Sequence, residues 1–266
     1  MRRNISNLQI SSKNRKFHRL QYGISLIEIL IVISCILFLI ALIPIILRPR
    51  ATSSMRNICQ NRIKNLLLGI FTYADENNGR LPILADSNSL NEISKQTARI
   101  LLHNIGVDVN SDKFINESFL FSDNFYCPAN IQQVRFRKSY WYSSDDYHTT
   151  GYFFIIDTKT GRAKIQGTGE KQWVTRLNIP KSTERELIID IVISDQVNYK
   201  PPKYPFGNFE KCPGTIFGKD GFESTSHLLN DTKAGGGNIG FNDSHVEWRS
   251  FSEMEKRYGD NPVCWW

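Results

Sequence analysis

Four cysteines lie beyond residue 50, at Cys59, Cys127, Cys212 and Cys264, and they are the most reactive side chains in the chain. Thiols so placed either close disulfides, with three connectivities open, or stay reduced and buried. A fifth, Cys35, sits within an apolar run and reads as a buried helix cysteine. The five histidines are scattered, and none has a partner at ligand spacing. His245 reads as a strand residue, and Ser226-His227 lacks a recognisable third member for a hydrolase triad. Gly235-Gly236-Gly237 follows no strand-to-helix pattern and reads as a flexible approach to a hairpin, not a phosphate cradle. Asp195, Asp220, Glu223, Asp231 and Asp243 supply oxygens of the kind Ca²⁺ takes from loops, but there is no EF-hand pattern and solvated loops account for them more simply. No zinc motif or nucleophile elbow is present. The chain is therefore read as a non-enzyme, with no cofactor implied beyond calcium.

One carboxylate draws its interest from position. The 24 residues from Ile24 to Leu47 are apolar with Glu28 as the only charge, and Arg48 and Arg50 close the run. As a helix it would span roughly 36 Å, enough to cross a hydrocarbon core of ~30 Å. Residues 1–22 hold six of the 33 basic residues and no acidic one, which leaves 27 basic against 26 acidic in the rest. The net charge of +7 thus belongs to a basic leader, and nucleic acid is not implied as a partner. The leader would face the cytoplasm and residues 48–266 the far side of a membrane. A carboxylate inside a spanning helix costs ~2.5–3.5 kcal/mol and calls for a partner. Cutting after Gly23 would create an α-amine on Ile24 that could neutralise a neighbouring copy's Glu28 and set the register between copies. A secretory signal would have a shorter apolar core. Val32-Ile33-Ser34-Cys35 superficially matches a lipoprotein box, but mostly apolar residues follow Cys35.

These residues need a scaffold. Beyond Arg50, Met55, Cys59, Ile63, Leu66, Ile70, Tyr73 and Ala74 recur at helical spacing, and Asn77-Asn78-Gly79 with Pro82 marks the stop. A single helix from about Ile24 to Asn78 is predicted, its second half packing on a head. In that head, Gly151–Asp157 and Arg162–Gln166 flank a turn, Glu186–Ser194 reads as a central strand, and Asn238–Phe241 with His245–Trp248 reads as a hairpin. Ser252, with Glu255 three residues on, predicts a capped short helix. Residues 83–150 alternate poorly, and the proline-rich stretch Tyr199–Phe222 reads as a surface loop.

The basic leader followed by Gly23-Ile24-Ser25-Leu26-Ile27-Glu28 resembles the class III leader of type IV prepilins and type II secretion pseudopilins, and Pro44 falls where such helices often kink. Cys59–Gly69, Tyr73–Gly79, Leu81-Pro82, Cys127-Pro128 and Gly240–Trp248 extend the resemblance to a subgroup named for a C-terminal H-x9-DG motif. Lys233 stands where that subgroup has histidine, Ser244 where it has glycine, and Ile24 where leaders usually have Phe or Met. The resemblance implies a pilin-like α+β fold, a long N-terminal helix, transmembrane in its first half, packed on an antiparallel head. Its segments would be a cleaved leader (1–23), a transmembrane helix (24–47), an amphipathic extension (48–79) and a globular head (80–266). It also implies cleavage and N-methylation at Ile24 by prepilin peptidase, and assembly involving Glu28 and Pro44. Partners would be the membrane, copies of the chain, other pseudopilins and the secretion or pilus machinery. The protein would sit single-pass in the inner membrane with its C-terminal domain periplasmic. G-type major pseudopilins use calcium in C-terminal loops, where Asp231 and Asp243 lie here. Because Cys59 and Cys127 both occur at family positions, the resemblance favours a Cys59–Cys127 disulfide, leaving Cys212–Cys264. The expected function is a non-enzymatic subunit of a pseudopilus or pilus. The rival is a monomeric membrane-tethered binding protein that uses the leader only for export.

Overall fold

A computed structural model describes residues 25–84, 89–142, 144–156, 173–177, 185–194, 212–213, 222–223, 225–229, 233–258 and 263–266. The chain divides into two compact units, residues 1–48 and 49–266. Helix α1, Leu26–Glu76, is the longest element. At its start the Glu28 carboxylate accepts a hydrogen bond from the Ser25 N–H at 2.8 Å, half of a capping box that satisfies one orphan donor of the first turn. Residues 25–41 are exposed throughout, including Leu26 at 80% and Phe38 at 66%.

Among the described residues no helix is long and apolar enough to cross a membrane. This overturns the expected transmembrane segment over 24–47, the pilin-like fold class built on it, and the single-pass inner-membrane placement with the membrane as partner. What stands is an α+β chain with antiparallel sheets.

In the second unit, α1 buries Cys59, Ile63, Leu66, Leu67, Ile70 and Ala74, each at most 1% exposed. This is the predicted stripe with Leu67 added and without Met55, which is 40% exposed, or Tyr73, which is half-buried. The helix ends as its cap residues require. Asn78 and Gly79 adopt left-handed φ of 55° and 76°, and the Gly79 N–H donates to the Ala74 carbonyl at 2.7 Å. Between residues 92 and 141 the chain is mainly helical where the sequence showed little pattern. Strand β1 (Glu92–Ser94) leads into α2 (Lys95–Asn104), α3 (Asp112–Glu117), a 3-10 helix (Ser118–Phe125) and α4 (Ile131–Trp141). Side chains of Ser94, Ser111 and Asn130 cap α2, α3 and α4 by accepting from Thr97, Phe114 and Gln133 N–H groups.

Strand β2 (Tyr147–Thr149) pairs with β1. The main sheet is antiparallel in the order β3 (Tyr152–Phe154), β4 (Glu186–Asp190), β8 (Gly236–Phe241), β9 (Val246–Ser250). The strand predicted over Glu186–Ser194 is split. β4 lies in this sheet, while β5 (Ile193–Ser194) joins β10 (Lys256–Tyr258) and β11 (Val263–Trp265) in another. The β8–β9 hairpin forms as predicted, but it takes in Gly236 and Gly237, so two of the three glycines of the run are strand and only Gly235 precedes it. Glycine is needed where α1 crosses: a Cβ on Gly240 would lie 2.7 Å from Ile63 Cγ2 and 2.8 Å from Leu67 Cδ1. The short 3-10 helix Phe251–Glu253 starts two residues earlier than predicted, with Ser250 and Glu253 forming its capping box. Strands β6 (Cys212–Pro213) and β7 (Phe222–Glu223) pair with each other. The predicted strand Arg162–Gln166 and the rest of the Tyr199–Phe222 loop lie outside the described residues.

Candidate functional site

Four chemically active side chains from separate segments converge in the head. Cys59 comes from the buried stripe of α1. One turn further on, Arg62 donates to the Tyr126 carbonyl at 2.8 Å and so holds the peptide preceding Cys127 against the helix. The Cys127 carbonyl then accepts from Asn130 N–H at 3.1 Å as the chain turns into α4. Asp190 is the last residue of β4, and a Cβ on Gly237 opposite would lie 3.0 Å from the Asp190 Cβ. His227 is placed by a loop tied at both ends. Ser226 N–H donates to the Ile191 carbonyl at 2.8 Å, and Gly235 N–H donates to the His227 carbonyl at 3.0 Å. His227 itself is held at φ 54°, a conformation non-glycine residues seldom take and one often found at functional positions.

Their ligand-type atoms all lie within 4.8 Å of one another. The Cys59 Sγ–H donates to Asp190 Oδ1 at 2.7 Å and also lies 3.4 Å from the Tyr152 hydroxyl. His227 Nε2 is 3.3 Å from Cys127 Sγ and 3.2 Å from Asp190 Oδ2. Asn238 donates twice to the same Oδ2, from its backbone N–H at 2.7 Å and its side chain at 2.9 Å. The two thiols and the carboxylate are fully buried, and the His227 side chain is 7% exposed.

Charge is balanced inside this enclosure. Burial pushes the Asp190 carboxyl up, but the His227 charge and the bonds from His227, Cys59 and Asn238 outweigh it and hold the carboxyl below its ordinary value. Burial lowers His227, but Asp190 and Cys127 raise it to about 10, so the imidazole carries a proton at neutral pH. Burial, the hydrogen bond with Cys127 and the Asp190 charge push Cys59 well up, leaving it a thiol. Burial also raises Cys127, but bonds from Cys59 and His227 bring it down to about 7.

Thiols, imidazole and carboxylate together can in principle serve as a nucleophilic relay, a dithiol pair or a metal-ligand set. A relay is disfavoured by geometry. Cys127 and Asp190 both meet the same nitrogen, Nε2, whereas a relay uses one ring nitrogen for each. Both thiols are also closed to substrate at 0% exposure.

The predicted site residues fare unevenly. Cys59 and Cys127 are adjacent as the resemblance implied, and both are free here, with no disulfide between them; Asp190 and His227 engage the sulfurs, which also hydrogen-bond to each other. Cys264 is buried in β11, far along the chain from this site, while the Cys212 side chain and so the Cys212–Cys264 pairing lie outside the described residues. Gly23, Ile24, Asp195, Asp220 and Asp231 lie outside them too, as do the side chains of Pro44 and Glu223. Asp243 is engaged locally: its Oδ1 accepts from His245 N–H at 3.2 Å and meets His245 Nδ1 at 2.5 Å. Among the described residues the convergent group of potential metal ligands is the Cys59, Cys127, Asp190 and His227 set, with no place in it for the expected calcium ligands. Ser244, standing where the H-x9-DG subgroup has glycine, has φ 76°, a conformation that favours glycine.

Asp190 and His227 were missed from sequence. The available signal was a lone acid in the otherwise apolar string Leu187–Ile193, the same signal that singled out Glu28. No family model matches the chain, and neither a curated protein nor a solved structure matches it.

Proposed function

We propose that this chain is a non-enzymatic structural subunit of the prepilin and pseudopilin type, cut after Gly23 by prepilin peptidase and assembled with copies of itself into a pilus-like or pseudopilus-like filament. The observation that carries the reading is the first part of α1. From Leu26 to Ile40 the large apolar residues, twelve of them, are each 49–80% exposed. Such residues follow one another without a polar face, so they surround the helix, and a helix apolar all round is one that becomes buried. Other copies of the same helix provide matching cover. Register then comes from Glu28, whose single bond to Ser25 N–H leaves the exposed carboxylate free to meet a neighbour's α-amine.

The non-enzymatic reading rests on closure, since the Cys59, Cys127, Asp190 and His227 side chains are shut away from substrate. N-terminal sequencing of the protein from its own host should begin at Ile24, leaving 243 residues. Glu28→Leu should leave a folded subunit that fails to assemble or loses register. An uncut Met1, or normal filaments from Glu28→Leu, would sink the reading.

A further inference from the structure

The Cys59, Cys127, Asp190 and His227 group calls for more than charge balance. We infer that these four side chains form a closed, structural site for zinc, which fastens α1, the segment before α4, the end of β4 and the loop before β8 into one head.

The donor set comes first. Two thiolates, an imidazole and a carboxylate are the ligand types zinc takes, and four protein ligands with no open position mark a structural site. Sulfur ligands disfavour calcium and magnesium, which prefer oxygen. Geometry agrees. Zinc bonds of ~2.0–2.3 Å in a tetrahedron place ligand atoms ~3.3–3.8 Å apart. Here the contacts are 2.7, 3.2 and 3.3 Å, and every pair lies within 4.8 Å. His227 Nε2 faces Cys127 and Asp190 at once, so it points at the centre of the group and not at either partner alone.

The surroundings are also those of a metal centre. Asn238 orients the Asp190 carboxylate through two hydrogen bonds, and the Tyr152 hydroxyl lies against Cys59 Sγ. Trp248 packs edge-on against the His227 ring, with centroids 5.2 Å apart. Binding displaces the protons held by His227 and the thiols, and the cation takes over their role of neutralising the buried carboxylate. The inference is independent of filament assembly: a zinc-fastened head is compatible with either outcome for the helix.

The test uses the full chain. Protein purified without chelator should contain one zinc per chain by elemental analysis. Cobalt exchanged into it should show tetrahedral visible bands and a near-ultraviolet thiolate-to-cobalt charge transfer, with the latter falling by about half in Cys127→Ser, which keeps one of two sulfurs. If that variant does not fold, wild type alone suffices. Chelation should lower the melting temperature, and added zinc, but not magnesium, should restore it. A mass two hydrogens lower, with no titratable thiol and no metal, would show a Cys59–Cys127 disulfide and overturn the site. Free thiols that take up no zinc, or bound zinc indifferent to both cysteines, would overturn it equally.

Discussion

Glu28 and Asp190 are each the single charge in an apolar run, and the molecule handles them in opposite ways. Glu28 lies on an exposed helix start and accepts one bond, from a backbone N–H three residues away. Asp190 is fully buried and is met by Cys59, His227 and, twice, Asn238, all distant in sequence. A charge among apolar neighbours therefore signals that a partner is needed. It does not signal whether that partner is local, distant in the chain, or on another copy.

The contrast can be broken at its stronger pole first. Asp190→Leu strands the His227 cation in a buried site and should cost ~3–5 kcal/mol, read from the denaturant midpoint at unchanged slope. A loss below ~1 kcal/mol would mean that the cluster is not the centre of the head.

A second buried polar group sharpens the point. His148 is 6% exposed, stacked on Trp141 at 3.7 Å, with Nδ1 2.5 Å from the Trp141 carbonyl. Burial first, aided by the Lys95 charge and opposed by that hydrogen bond, lowers its pKa to about 4. The unfolded chain, near 6.5, binds the proton more readily, so stability is complete above pH ~6.5 and falls as pH drops toward 4, by about 3 kcal/mol from this group. His148→Gln should flatten that slope in melts across the window. An unchanged slope would show that His148 takes up its proton without unfolding.

Packing gives a smaller effect. Gly240→Ala must push Ile63 and Leu67 away from β8 and should cost ~1–3 kcal/mol. An alanine accepted at no cost would mean that α1 need not lie so close to the sheet. Smallest of all, Glu28→Leu should leave the unfolding of the head within ~0.5 kcal/mol of wild type, because Glu28 is exposed and makes only a local bond. A large loss there would remove the distinction between the two carboxylates.

Much of the fold was legible wherever the cause lies within a few residues. The α1 stripe from Cys59 to Ala74 follows helical spacing, the Asn78-Gly79 stop follows from left-handed φ, and the β8–β9 hairpin follows from its turn. The caps at Ser94, Ser111 and Asn130 were equally local, yet their helices went unread because α4, Ile-Gln-Gln-Val-Arg-Phe-Arg-Lys-Ser-Tyr-Trp, shows no clear apolar stripe. The split of Glu186–Ser194 between two sheets was not readable, since an all-apolar run looks the same whichever neighbour it pairs with.

By itself the sequence determined the helix stripe, its stop and the hairpin, because each depends on backbone preference and side-chain spacing along a short stretch. Only the tertiary structure decided that Cys59 and Cys127 meet Asp190 and His227 as well as each other, and that Gly236 and Gly237 belong to a strand. Those outcomes depend on burial and on where distant segments cross. The energy that selects them, several bonds to one buried carboxylate and close contact at Gly240, comes into being only once those segments are brought together.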